Sequence, residues 1–237
     1  MADVLHTNPG IRVEDISHHI GFGNMAHAAF VLSSVFRDFP KGTVHLVGVD
    51  ATGMSGTSHI ALQVEDHFFV ASNCGILSLI SDKIPQQITE IHNFNDLPTT
   101  FPEKDILAPA AAKLASGVSL SDIGRPCTDF RRLTTRQLKA SKRHILGHVI
   151  HVDHFGNLIT NIERNVFEQL SHGRSYSIQF AGERLQRIST NYNQTEPGEC
   201  LALFNSIGLL EVAIWKGNAA QLFGLGLDSP VNILFEE

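Results

Sequence analysis

Several classes of protein are excluded by what this chain of 237 residues lacks. It has only three cysteines, Cys74, Cys127 and Cys200, odd in number and far apart, so neither a disulfide framework nor the paired spacing of a zinc site is available. They read as reduced structural thiols. No stretch reaches the roughly 18 uninterrupted apolar residues that a spanning helix needs, and the opening MADVLHTNPG lacks the charged-then-apolar form of a signal peptide. Positive charge is also scarce: the net charge is −6 with the two signs interspersed, which disfavours a nucleic-acid partner. The expectation is a cytoplasmic protein with no nucleic-acid and no membrane partner. Dinucleotide-binding GxGxxG, phosphate-cradling GxxxxGK, the GxSxG elbow and a paired His-Glu zinc motif are all missing. Thirteen histidines are scattered without metal-ligand spacing, so no metal site is expected.

What is present is an ordinary core-forming composition, 43% hydrophobic. Ile11 to Ile16 alternates toward a short strand, and apolar residues at helical spacing predict a helix over Asn24 to Phe36 behind an Asn24 cap. Thr43 to Val49, His59 to Val64 and His67 to Ala71 read as strands, Ile106 to Ala115 as a helix ended by Gly117, and Leu120 to Ile123 as a turn. From Arg131 to Arg143 the chain turns polar and basic, and helical patterning then largely disappears. Strands are expected at Ile145 to Val152, Leu158 to Ile162, Ser175 to Phe180, Leu201 to Phe204, Leu209 to Trp215 and Pro230 to Phe235, with Val166 to Leu170 alone helical. The fold class is therefore α/β: an N-terminal layered α/β domain over 1–143 followed by a smaller C-terminal β-barrel domain over 144–237.

Three groups of polar residues could carry chemistry. Asp50 ends an apolar strand and precedes the small-residue loop ATGMSGTS; it suits a ligand contact or, equally, a loop cap. Asp153, His154, Phe155, Gly156 and Asn157 follow the strand Ile145 to Val152, offering acceptors, an amide and a stacking face, or else forming an Asx-rich hairpin turn. Asn205, Ser206 and Gly208 would pass as an ordinary hairpin loop if they stood alone.

Taken in order, these segments resemble the S-adenosylmethionine (SAM) hydroxide adenosyltransferase superfamily, which also contains the fluorinases and chlorinases. NPGIRVEDISHHI is similar to that family's NPxxxIxDxTHxI, and FPKGTVHLVGVD to its FPxGTVHxxVVD. ASNCGILSLI stands for PDNGLLSxV, TFPEKDILAPAAAKLASG for TFHGRDxFAPxAAxLAxG, and IHVDHFGNLITNI for IxxIDxFGNLxTNI. The family's opening strand and TDFGxxDxYVGxMKG segment have no counterpart, since the chain opens at what looks like the end of that segment. The resemblance thus leads to the expectation of a trimmed or mis-started, N-terminally truncated member lacking its first strand.

The resemblance implies a homotrimer with SAM at the subunit interface, as substrate or ligand, and no cofactor. It also implies attack of water, or of halide in the halogenases, on the ribose C5′ of SAM. By this resemblance Asp50 occupies the position of the Asp in the Asp-Arg-His set that handles the water; the Arg position is Thr57 and the His position Pro102, followed by Glu103 and Lys104. In the DNG element, Asn73 and Cys74 replace Asp and Asn. Asp153, Phe155 and Asn157 match positions that contact the methionine moiety, Asn205 and Ser206 match the loop that approaches the adenine, and Phe22 falls near an aromatic under SAM. Two further functions stand beside a SAM hydrolase of impaired chemistry: a non-catalytic SAM- or adenosine-binding protein, and a structural trimeric scaffold.

Overall fold

The computed structural model describes residues 2–52, 57–93, 99–134 and 136–236; residues 53–56, part of the loop expected beside Asp50, lie outside them. The chain divides into two compact units, Met1–Thr135 and Arg136–Glu237. The division falls inside the polar stretch rather than at its end, because a short strand within that stretch pairs with the second unit.

The first unit contains α1 (Ala2–Thr7), α2 (Met25–Val35), β1 (Val44–Val47), β2 (His59–Val64), β3 (His67–Ser72), β4 (Gln87–Ile91), α3 (Ala108–Ala115) and β5 (Gly124–Pro126). Helix α2 begins where Asn24 predicts it, the Asn24 side chain accepting from the His27 amide at 3.0 Å. The strands form one sheet in the order β1-β3-β2-β4-β5, with β1 parallel to β3 and every other pairing antiparallel. Alternation along β2 and β3 buries both faces. Ile60, Leu62, Phe69 and Ala71 pack under Leu32 and Phe36 from the α2 region, while Ala61 and Val70 pack under Ala110 and Leu114 of α3. Helix, sheet and helix make the layered α/β arrangement that this patterning predicts.

Two local expectations need correction, and one strand went unread. Ile11 to Ile16 forms no strand, for alternation becomes a strand only where a neighbour completes the ladder, and among the described residues this segment has none. Strand β4 was not read from the sequence because Gln87, Thr89 and Glu90 dilute its apolar pattern. The helix Ile106 to Ala115 begins as a π-helical turn over Glu103–Leu107 before continuing as α3.

The second unit contains β6 (Lys139–Ala140), β7 (His144–Val152), β8 (Leu158–Glu163), α4 (Arg164–Ser171), β9 (Tyr176–Phe180), β10 (Glu183–Leu185), β11 (Cys200–Phe204), β12 (Leu209–Ile214), α5 (Ala219–Phe223) and β13 (Pro230–Phe235). The strands make an eight-stranded, barrel-like sheet, ordered β10-β9-β13-β7-β8-β12-β11 with β6 on β7. Its interior holds Ile145, Val149, Leu158, Ile162, Ile178, Leu210, Val212 and Ile233. Helix α5 corrects the expectation that Val166 to Leu170 alone is helical; five residues are too few for helical periodicity to show. Among the described residues no helix is long and apolar enough to cross a membrane.

Two stability predictions follow from the first unit. His45 and His67 are buried side by side, Nε2 to Nδ1 3.3 Å apart, against Phe36 and Phe69. Burial, then the neighbouring His67, pushes the His45 imidazole down to about 4, and burial lowers His67 as well. The unfolded chain therefore takes up a proton near pH 6.5 that the folded chain refuses until about pH 4, so this stability is complete above 6.5 and is lost as pH falls. The unfolding free energy from denaturant titration should decline between pH 7 and pH 4 by an amount on the order of 2 kcal/mol from this group, and His45→Phe should show a shallower decline. Gly124 sits so close to β4 that a Cβ would come within 1.9 Å of the Glu90 carbonyl oxygen. Gly124→Ala should lower the unfolding free energy by about 2–3 kcal/mol, read as a shift in urea midpoint.

Candidate functional site

Asp50 lies just beyond the C-terminal end of β1. Because β1 and β3 are parallel, their C-terminal ends, and with them Asp50 and Asn73, come to one edge of the sheet. Strand β2 runs the other way and begins there, with His59 opposite Ser72. Asp50 has φ of +54°, a left-handed conformation that Asp tolerates better than most residues. The turn is clamped by the Ser72 hydroxyl, 3.0 Å from the carbonyl oxygens of both Asp50 and Ala51. His59 donates from Nε2 to the same Ala51 carbonyl at 3.1 Å.

The positions that the resemblance marks as altered are built into the fold of this unit. Asn73 donates from Nδ2 to the Asp129 carbonyl at 2.9 Å and accepts from the Arg131 amide at 2.9 Å. Cys74 is buried, and burial raises its thiol. Pro102 is buried at the head of the π turn. The next residue, Glu103, lays its side chain across Gly48, where a Cβ would meet Glu103 Cγ at 3.0 Å. Phe22 is fully exposed, at 101%, in the irregular segment before α2.

In the second unit, Asp153 organises the loop between β7 and β8. Its Oδ1 accepts from the amides of Phe155 (2.9 Å) and Asn157 (2.8 Å), and its Oδ2 from Asn157 Nδ2 (2.9 Å). Asn157 is buried while Phe155, whose turn these bonds fix, is 72% exposed. Gly156, at φ +83°, has no room for a side chain, since a Cβ would overlap the Asn218 amide group at 2.1 Å. The Ala220 amide donates to the Gly156 carbonyl at 2.9 Å, which fastens the start of α5 to this loop.

The Asn205–Gly208 loop joins β11 to β12 at the other end of β8, where Leu209 pairs with Glu163. The two loops are thus separated by the length of β8, and the second is anchored by Glu211. This carboxylate accepts from the Tyr192 hydroxyl at 2.5 Å and from Asn205 Nδ2 at 3.3 Å. Burial and the Glu211 carboxylate push the Tyr192 phenol upward, and Asp153 adds to the effect. Asn205 Oδ1 in turn accepts from the amides of Ile207 and Leu209, and Ser206 is exposed at the tip. Sequence reasoning missed Glu211, Tyr192, Asn218 and His59. Only Glu211 left a signal, a lone charge in the apolar run Leu209 to Trp215.

Comparisons with known proteins agree across both units. The family model of the SAM hydroxide adenosyltransferase N-terminal domain matches residues 1–124, and that of the C-terminal domain matches residues 147–232. An (R)-S-adenosyl-L-methionine hydrolase of Salinispora tropica is 30% identical over 226 residues, covering 92% of this chain and 84% of that protein. A fluorinase of an Actinoplanes species is 24% identical, with 90% and 83% covered. A crystal structure of an uncharacterized conserved protein from Thermotoga maritima superposes with a TM-score of 0.90 at 28% identity, over 98% of this chain and 92% of that one. With both domains matched in order and nearly the whole chain aligned, this protein belongs to the SAM hydroxide adenosyltransferase family, within the superfamily that includes the fluorinases.

Proposed function

We propose that this protein binds SAM and hydrolyses it at the ribose C5′ to adenosine and methionine. The observation that carries this reading is Asp50, held in a left-handed turn at the end of β1 by the Ser72 hydroxyl. A carboxylate fixed there orients a water molecule, and it disfavours halide as the nucleophile through like-charge repulsion. The departing group is a sulfonium that leaves as a neutral thioether. It needs little acid assistance, so catalysis reduces to holding water, carbon and sulfur in line while excluding bulk solvent.

Ligand binding falls to the second unit. The two Asp153 oxygens accept three bonds from the loop, fewer than the roughly four sites a carboxylate offers, so an acceptor direction is left for the α-amino group of SAM. Phe155 presents an apolar face suited to the ligand, and the family resemblance puts Asn205 and Ser206, at the far end of β8 from Asp153, at the adenine end. The active assembly is a homotrimer, with Asp50 of one copy facing Asp153, Phe155 and Asn157 of the next. A SAM binder without turnover is the second reading, favoured by Thr57 and Pro102, neither of which supplies the charge or proton acceptor of the family's Arg and His.

Chromatography of a SAM incubation should show adenosine released by the wild type and a loss of about 10-fold or more in Asp50→Asn; SAM binding without adenosine would favour the binder. Asp153→Asn, which keeps the backbone bonds through Oδ1 but removes the charge, should weaken SAM binding about tenfold by calorimetry. No heat with SAM or adenosine would leave the scaffold. Light scattering at micromolar concentration should return three times the chain mass.

A further inference from the structure

We propose that His59 is the proton acceptor for the attacking water, with Glu103 as its positioning residue, so that Asp50, His59 and Glu103 form a water-handling set at the sheet edge where Thr57 and Pro102 supply none. The inference rests on the hydrolase reading above and goes beyond it in naming where the proton goes.

Three observations converge. First, a backbone carbonyl can only accept, so the 3.1 Å contact from His59 Nε2 to Ala51 O fixes the hydrogen on Nε2. Neutral His59 therefore keeps its lone pair on Nδ1, the form required of a base. The same contact ties the ring to the residue after Asp50, and the Ser72 hydroxyl, opposite His59 in the β2–β3 ladder, clamps both carbonyls of that turn. Second, burial lowers the His59 imidazole, which keeps it unprotonated at neutral pH, while the bond to Ala51 and the Glu103 charge act in the opposite sense. A half-buried neutral histidine beside a carboxylate suits general-base work near pH 7. Third, Glu103 is delivered by a π-helical turn, a rare geometry often found at functional sites, and it lies across Gly48, two residues before Asp50. Among the described residues, the titratable groups on the neighbouring elements include His45 on β1, His67 on β3, Cys74 after it, Lys104 and Asp105 on the π turn, and Glu90 on β4, the last paired with Arg125 at 3.0 Å.

The step balances without a co-reactant. The water oxygen forms its bond to C5′ as the C5′–S bond breaks. The bonding pair stays on sulfur, methionine departs as a neutral thioether, and the water proton passes to His59 Nδ1 and then to solvent.

The test follows adenosine release from SAM by the full chain. His59→Gln retains an N–H donor for the Ala51 carbonyl but no base. It should lower kcat about 100-fold with KM changed by less than about twofold, and added imidazole should restore part of the rate in His59→Ala. Glu103→Gln removes a charge that raises His59, so the acid limb of the kcat profile should move to lower pH. Wild-type turnover that survives in His59→Gln, or an unmoved acid limb in Glu103→Gln, overturns this assignment and leaves the hydrolase reading intact. A wild type that releases no adenosine overturns both. Should His59→Gln fail to fold, as judged by its thermal transition, the Glu103→Gln profile decides.

Discussion

The parallel pairing of β1 with β3 is the constraint on which the first unit's chemistry depends. Two parallel neighbours end at the same edge, and the antiparallel β2 between β3 and β4 must begin there. Asp50, His59 and the pair Ser72–Asn73 belong to three different strand ends and meet for that reason. The edge is also where strand amides and carbonyls run out of ladder partners, so polar side chains are needed to close the turns. Ser72 meets that need by donating to two consecutive carbonyls, and Asn73 by bridging to residues 129 and 131. The left-handed φ of Asp50 persists because its surroundings over-determine it.

The second unit follows a different logic. A barrel-like sheet fills its interior with alternate residues and leaves the other face of each strand to be covered or solvated. On β12, Leu210, Val212 and Ile214 point inward, which places Glu211 on the outer face, where Tyr192 covers it and it is only 3% exposed. A carboxylate so enclosed is costly unless hydrogen-bonded, and the partners that satisfy it are Tyr192 and the loop residue Asn205. At the other end of β8, Asp153 uses the same principle locally, spending its acceptors on the loop that shapes Phe155 and Asn157. The turn reading and the ligand reading of this segment are therefore compatible, since the bonds that make the turn also fix the side chains a ligand would meet.

Local patterning accounts for most of the elements legible before folding. The Asn24 cap, the apolar runs of β1 to β3, the barrel strands and the Ala-rich α3 each declare themselves within a window of about ten residues. Illegible elements were those too short or too polar to bear a period, such as β4, β10 and α5. The π turn at Glu103–Leu107 was hidden too, because its apolar spacing reads on as α-helix.

By itself the sequence determined the two-part α/β and barrel-like architecture and the family, and it offered Phe22, Asp50, Asp153, Phe155, Asn157, Asn205 and Ser206 as candidate ligand residues, because periodicity and linear motifs survive in one dimension. The tertiary structure alone decided that His59 and Glu103 flank the Asp50 turn, and that Glu211 and Asn218 support the loops of the second unit. The physical reason is that a side chain's role depends on what the ladder register and the packing place against it. His59 reads in sequence as the first residue of a strand, and only the antiparallel register sets it opposite Ser72, beside the carbonyl that fixes its tautomer.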